Sequence, residues 1–319
     1  MLLSPLNHSL CHHRNFSMCM ISIGIDIAGA HGKRFDLAIV RWGSTLNTAS
    51  HVTWGALPLG HPNTGYPIFS FTQIINACRG GNLSQIAQLT YPIVHFVSQG
   101  LRIQFSVLCD LIGSSLFVAI DSPSGFSRNI RGHGRATEKV GRHFGLSGAH
   151  QPYFQMSPSI ACNRPRGNRW AWMLFGMATF FAFSCRFNPS QSTWEDFLRN
   201  GFASVPGGLG GNLLEVFPRA TIQYARYSAA TGRGTIGNLQ QIISGLQNAA
   251  PETILILQSL QTGLKTGSDR ADALLAALTT LGKIYPHLFT MTALQQGNPS
   301  NYLPLPPNWT QEGVIYTVS

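Results

Sequence analysis

The sequence predicts an α/β protein, a mixed β-sheet with helices packed against it, and three features point that way. Ile21, Ile23, Ile25 and Ile27 alternate with Ser22, Gly24, Asp26 and Ala28, the two-residue period of a strand with one β-branched face. Ser115 to Ile120 is a short apolar run stopped at Asp121-Ser122-Pro123, which suits a buried central strand. Ala271, Leu274, Leu275, Leu278 and Leu281 fall at core-facing helical intervals behind Ser268, a plausible N-cap. Antiparallel strands first, then strands separated by helices, give a mixed sheet.

Composition narrows the class further. Of 319 residues, 44% are hydrophobic and only 11% charged, which excludes a disordered chain and leaves ample length for a sizeable core. Lys and Arg number 22 against 12 Asp and Glu, a formal charge of +10 that favours a polyanionic partner, nucleic acid ahead of a membrane surface. The six cysteines show no CxxC spacing and read as buried free thiols of a reducing compartment. No apolar h-region marks a secretory signal in the first twenty residues. Ala171 to Phe183 is the most membrane-like run, but it falls short of the roughly 20 residues a span requires. It reads as a buried core helix, and the expectation is a soluble, cytoplasmic protein without membrane partners.

Taken in order, residues 1–19 match neither period and read as a disordered leader. The cluster His8, Cys11, His12, His13 and Cys19 within it fits no common zinc spacing. Ile21–Ile27 is the first strand, Gly29 to Lys33 a turn, and Phe35 to Trp42 the second strand of a hairpin. His51 to Leu59 is a candidate third strand, and Gly65 to Gly100 a loop leading into helical material that includes Leu83 to Val97. After the strand ending at Asp121, residues 128–211 form a basic, largely helical insertion, with helices at Arg135–Phe144 and Trp170–Phe183 and a Gly-rich loop from Pro206 to Gly211. Asn212 to Phe217 is a short strand stopped by Pro218. Helices follow at Thr235–Asn248, Pro251–Leu260 and Ser268–Lys283, and Gly313 to Val318 is a closing strand-like run.

With acids so scarce, their positions are informative. Asp26, Asp121, Glu215, Asp269 and Asp272 lie inside, or at the tips of, the most apolar elements, and Asp269 and Asp272 share one helix face. Buried carboxylates are costly unless paired or bound to a cation, and converging ones raise one another's pKa. A divalent ion removes that cost. Mg²⁺ or Mn²⁺ prefers such oxygen ligands, and two ions roughly 3.5–4 Å apart can activate water and stabilise a leaving oxygen in phosphodiester cleavage.

GIDIAG (Gly24 to Gly29), AIDSPSG (Ala119 to Gly125), EVFPRA (Glu215 to Ala220), SDRADALLAALTT (Ser268 to Thr280) and EGVIY (Glu312 to Tyr316) follow one another in this order. Together they resemble an uncharacterised domain family described as predicted ribonuclease H-like nucleases, over nearly the whole chain beyond the leader; Arg135, Glu138 and Arg142 resemble its R-x-x-E segment. The resemblance implies a ribonuclease H-like fold, a five-stranded mixed sheet, three strands antiparallel and then two parallel, with helices on both faces. It implies a first acid on the first strand, Asp26, and a second at the end of the fourth, Asp121. The last helix opens on D-R-A-D-A, similar to the D-x-x-D-A of RuvC-type resolvases, and Glu215 matches the family's own glutamate. The departure is Ser-Pro-Ser after Asp121, where relatives of the superfamily often have Glu and no Pro.

The function expected is a metal-dependent nuclease acting on DNA or RNA by a two-metal mechanism. Asp26, Asp121 and Asp272 would hold the metal, and Glu215 and Asp269 would be supporting ligands or orient water. Arg135, Lys139 and Arg142 would contact the substrate backbone. Each acid also has a plain structural reading, Asp121 as a turn former and Asp269 as part of a helix cap. Two other functions suit the same sequence. A non-catalytic nucleic-acid-binding protein would use the basic segment Arg128 to Arg169 with its interleaved aromatics, itself readable as an ordinary solvated surface. An actin-like or sugar-kinase-type ATP-binding protein would use Gly24–Gly29 and Lys33 around phosphates, yet that fold duplicates the domain and the chain offers few such signals. No G-x-S-x-G elbow occurs, and His31, His133, His143 and His150, near the proposed site, form no HxxxH pair.

Overall fold

β-branched residues at every second position make β1 (Met20–Asp26) an extended segment with two unlike faces, and the remaining strands assemble around it. The computed structural model describes residues 20–27, 35–42, 52–57, 71–79, 82–108, 116–122, 124–125, 168–187, 193–200, 212–218, 268–287, 289, 291–293 and 315–318. Residues 1–19, the Arg135–Phe144, Thr235–Asn248 and Pro251–Leu260 helices and the Pro206–Gly211 loop lie outside the described residues.

The described elements are β1, β2 (Phe35–Trp42), β3 (Val52–Leu57), α1 (Phe71–Arg79), α2 (Leu83–Leu108), β4 (Leu116–Asp121), α3 (Asn168–Phe187), α4 (Trp194–Asn200), β5 (Leu213–Val216), α5 (Ser268–Thr279), α6 (Leu281–Ile284), β6 (Met291–Ala293) and β7 (Ile315–Val318). The strands form one mixed sheet in the order β3-β2-β1-β4-β5-β7-β6. β3, β2 and β1 are antiparallel, β1, β4, β5 and β7 are mutually parallel, and β6 returns antiparallel along β7. The broad α/β reading and the antiparallel hairpin of β1 and β2 agree with expectation; the described sheet has seven strands where five were expected. β7 lies within the closing run read from the sequence. β6 has three residues, too few for any alternation to show.

Helices cover both faces. On the first face Ile21, Ile23, Ile25, Leu37, Val118, Ile120 and Leu213 share a core with Ile86, Val94, Phe175, Phe180 and Phe183 of α2 and α3. Phe35 meets Phe175 edge-on at 6.1 Å between ring centroids, tying β2 to α3. Each such fully buried side chain contributes about 1.5–3 kcal/mol. Within the run Ala171–Phe183 the helix is a core element: Leu174, Phe175, Met177, Ala178 and Phe180 expose nothing. Among the described residues no helix is long and apolar enough to cross a membrane. The described helices of the 128–211 region join this main core instead of standing apart from it.

Capping explains two boundaries. The Asn82 Oδ1 accepts from the Gln85 amide and starts α2. Thr193 and Asp196 make a reciprocal box ahead of α4, with Asp196 N donating to Thr193 Oγ1 at 3.2 Å and Thr193 N to Asp196 Oδ2 at 3.1 Å. α4 was not expected; T-x-x-D was its signal.

On the second face, α5 lies across β1. A methyl on Gly24 would run into the carbonyl oxygen of Ala273 and the amide nitrogen of Ala277, and would sit 2.9 Å from the Ala277 Cβ. Next to this contact the Ser22 hydroxyl bonds Thr280 Oγ1 and accepts from Trp42 Nε1 at 2.7 Å. Thr280 also donates to the Ala277 carbonyl at 2.8 Å, and the helix expected to run through Lys283 breaks there into α5 and α6. Gly24→Ala should cost about 3 kcal/mol, since the obstacle is backbone and has no rotamer to give way. A urea midpoint unchanged by this substitution would contradict the seating of α5 on β1.

Candidate acidic site at the carboxyl ends of the parallel strands

β1 and β4 run parallel with Gly24 opposite Ala119 and Asp26 opposite Asp121, so both strands end on an aspartate at the same level. Neighbouring strands stand about 4.8 Å apart, and residues in register share a face. The face follows from the cores. Ile25 and Ile120 belong to the first core, so Asp26 and Asp121 fall on the second, where Ala119, Leu214, Val216 and Ala276 pack together. Both aspartates are half-buried.

α5 delivers its start to the same end. Thr280 meets Ser22 while Ala273 and Ala277 sit over Gly24, so the helix runs opposite to β1 and its N-terminus lies toward Asp26. Asp272, half-buried, precedes Ala273, and Asp269 lies in the first turn. The geometry thus brings Asp26 and Asp121 side by side and the opening of α5 to their end of the sheet. Among the described residues no three or more His, Cys, Asp or Glu side chains come close enough together to hold a metal ion. Asp26, Asp121 and Asp272 are therefore a register pair plus a helix start, not a closed cage.

Glu215 is elsewhere. Its partner in register is Ile120, so it belongs to the first face, opposite the two aspartates. It is 1% exposed, and its Oε2 accepts from the Ser124 amide at 3.0 Å and the Ser124 hydroxyl at 2.6 Å. The neighbouring Ser122 hydroxyl is buried with no hydrogen-bond partner among the described residues. Arg135, Lys139 and Arg142 lie outside the described residues, as do His31 and Lys33.

One residue was missed from the sequence. Asp36 stands directly opposite Asp26 in the β1–β2 ladder, on the same face, making a row Asp36–Asp26–Asp121 across three strands. The signal was present: the turn Gly29–Lys33 is centred on His31, equidistant from Asp26 and Asp36. Like charges directly opposite on a sheet destabilise it unless a cation intervenes.

No family model, no curated protein and no solved structure matches this chain.

Tyr316 on β7 lies in register with Val216, and burial first and the Glu215 charge second raise its hydroxyl above the usual 10.0. The sign follows directly. A raised folded pKa favours the protonated form, so the stabilisation is complete below about 10 and is lost as pH climbs through the folded value. Phenolate absorbance of wild type minus Tyr316→Phe should show this group titrating above the other tyrosines. Adding Glu215→Gln should lower its midpoint only part of the way, because burial is the larger cause. A Tyr316 midpoint at or below 10.0 would contradict this placement.

Proposed function

We propose that the chain is a divalent-metal-dependent nuclease, hydrolysing phosphodiester bonds of DNA or RNA on a ribonuclease H-like sheet. The observation that carries the reading is the register of Asp26 with Asp121 at the carboxyl ends of adjacent parallel strands, the position where open α/β sheets bind ligands. The antiparallel run β3-β2-β1 continued by parallel β4 and β5 is the arrangement implied by the resemblance of the five motifs, and it supports the same reading.

The donor chemistry fits Mg²⁺ or Mn²⁺. Hard cations of this kind are held through one or two carboxylates with water and substrate phosphate filling the remaining positions, so a pair in register is sufficient. Asp26 and Asp121 would hold the ion, with Asp272 joining from the start of α5. When bound, such an ion makes water a stronger nucleophile and neutralises charge on the phosphate. The protein's own part is to hold the carboxylates at one level and to bring the substrate backbone to them. That second task falls to Arg135, Lys139 and Arg142 in a chain of net charge +10.

A panel of DNA and RNA substrates assayed with Mg²⁺, Mn²⁺ or EDTA tests the enzyme reading. Wild type should cut in a metal-dependent way, and Asp26→Asn should lose on the order of a hundredfold or more in rate. In EDTA the same variant should be at least as stable as wild type, because one charge leaves the Asp36–Asp26–Asp121 row. Equal cutting by Asp26→Asn would end the proposal.

Substrate binding is tested separately by its salt dependence. Replacing Arg135, Lys139 and Arg142 together with Ala should reduce the slope of log K against log salt by roughly 2 to 3. An unchanged slope would remove these residues from the interface. Salt-dependent binding without any cleavage by wild type would favour the non-catalytic binding protein.

A further inference from the structure

The Glu215 carboxylate is the most deeply buried acid among the described residues, and its geometry does not match the role of a metal ligand. It lies on the sheet face opposite Asp26 and Asp121, fixed there by its register with Ile120. What it holds is chain. Ser124 is three residues beyond Asp121 and is fully buried, and both its amide and its hydroxyl donate to the same oxygen, Oε2. Hydrogen bonds to a carboxylate are stronger than neutral ones, and a hydroxyl bond of 2.6 Å lies in their short range.

The chain leaving β4 needs such an anchor. The ladder between β4 and β5 ends at Asp121 opposite Val216, and Pro123 has no amide hydrogen to give. Ser122 is buried but makes no side-chain hydrogen bond to any described residue. The two bonds from Ser124 to Glu215 are a polar tie that fastens the segment after Asp121 to the neighbouring strand.

We propose that Glu215 is a positioning residue that clamps the Asp121–Gly125 segment through Ser124 and thereby fixes the backbone carrying Asp121, without itself touching metal or substrate. The clamp stands on the hydrogen bonds alone; its effect on chemistry rests on the nuclease reading above. The Ser-Pro-Ser that follows Asp121 then has a purpose in this chain: the second serine supplies both donors of the clamp.

Because Ser124 has no role at a metal on this account, Ser124→Ala and Glu215→Gln should act alike and should not add. Three measurements on the full chain test it. Amide hydrogen exchange at Ser124 should quicken roughly tenfold in Glu215→Gln while exchange inside β1 and α5 stays as in wild type. Mn²⁺ affinity should fall by a similar factor in Ser124→Ala, in Glu215→Gln and in the double variant. If wild type cleaves, kcat should fall in the same non-additive pattern with KM little changed. Unchanged Ser124 exchange in Glu215→Gln overturns the clamp, and Mn²⁺ affinity lost in Glu215→Gln but kept in Ser124→Ala makes Glu215 a ligand and overturns the proposal. If wild type neither cleaves nor binds Mn²⁺, the nuclease reading fails and the exchange measurement still decides the clamp.

Discussion

The contact on which the site depends is the backbone of α5 resting on β1 at Gly24. Helices usually pack at a distance set by intervening side chains, but here the space over Gly24 is filled by the Ala273 carbonyl and the Ala277 amide. Small residues on the helix allow the same approach from the other side: Ala273, Ala276 and Ala277 are all fully buried. Ser22, Thr280 and Trp42 then lock the sliding direction with a buried hydroxyl pair and an indole bond. A helix seated this closely has little freedom to shift along the strand. Its start is consequently held beyond Gly24, at the end where β1 and β4 terminate in aspartates.

The two faces of β1 divide the work. One carries Ile21, Ile23, Ile25 and Ile27 into a large aromatic-rich core, where burial supplies most of the stability. The other carries Ser22, Gly24 and Asp26, which specify where a helix sits and what charge lies at its start. That asymmetry is readable in seven residues. Alternation has a period of two, so a slip of one residue would turn the isoleucines under α5 and set Ser22, Gly24 and Asp26 against the aromatic core. The register that aligns Asp26 with Asp121 is thus enforced by the hydrophobic face, which has no chemistry of its own.

Most of the sheet was legible for this reason. Strand alternation marked β1, a strand-like run behind a turn-rich stretch marked β2, a proline-stopped apolar run marked β4, and a helical period marked α5. What stayed illegible were features set by partners distant in sequence. Glu215 reads as one more acid beside an apolar strand, and only the pairing of β5 with β4 reveals that it faces away from Asp121. Asp36 was hidden by an apolar run, although hairpin symmetry places it opposite Asp26. Thr280, where the helix breaks, bonds Ser22, 258 positions earlier, a partner that no local helical period encodes. β6 is too short to leave a pattern at all.

The acidic row shows how such a site can be held before anything binds to it. Asp36, Asp26 and Asp121 sit at strand ends, half-buried, where water still screens part of their repulsion. The start of α5 lies toward the same end, and a helix N-terminus carries roughly half a positive charge that favours nearby anions. Screening and dipole together reduce the cost of crowding carboxylates, but neither cancels the like charges placed directly across the ladder. A cation would relieve what remains, and its binding would stabilise the folded chain in proportion to that relief. Stability is built on the isoleucine side of β1, which leaves the end of the other side to carry a row of acids.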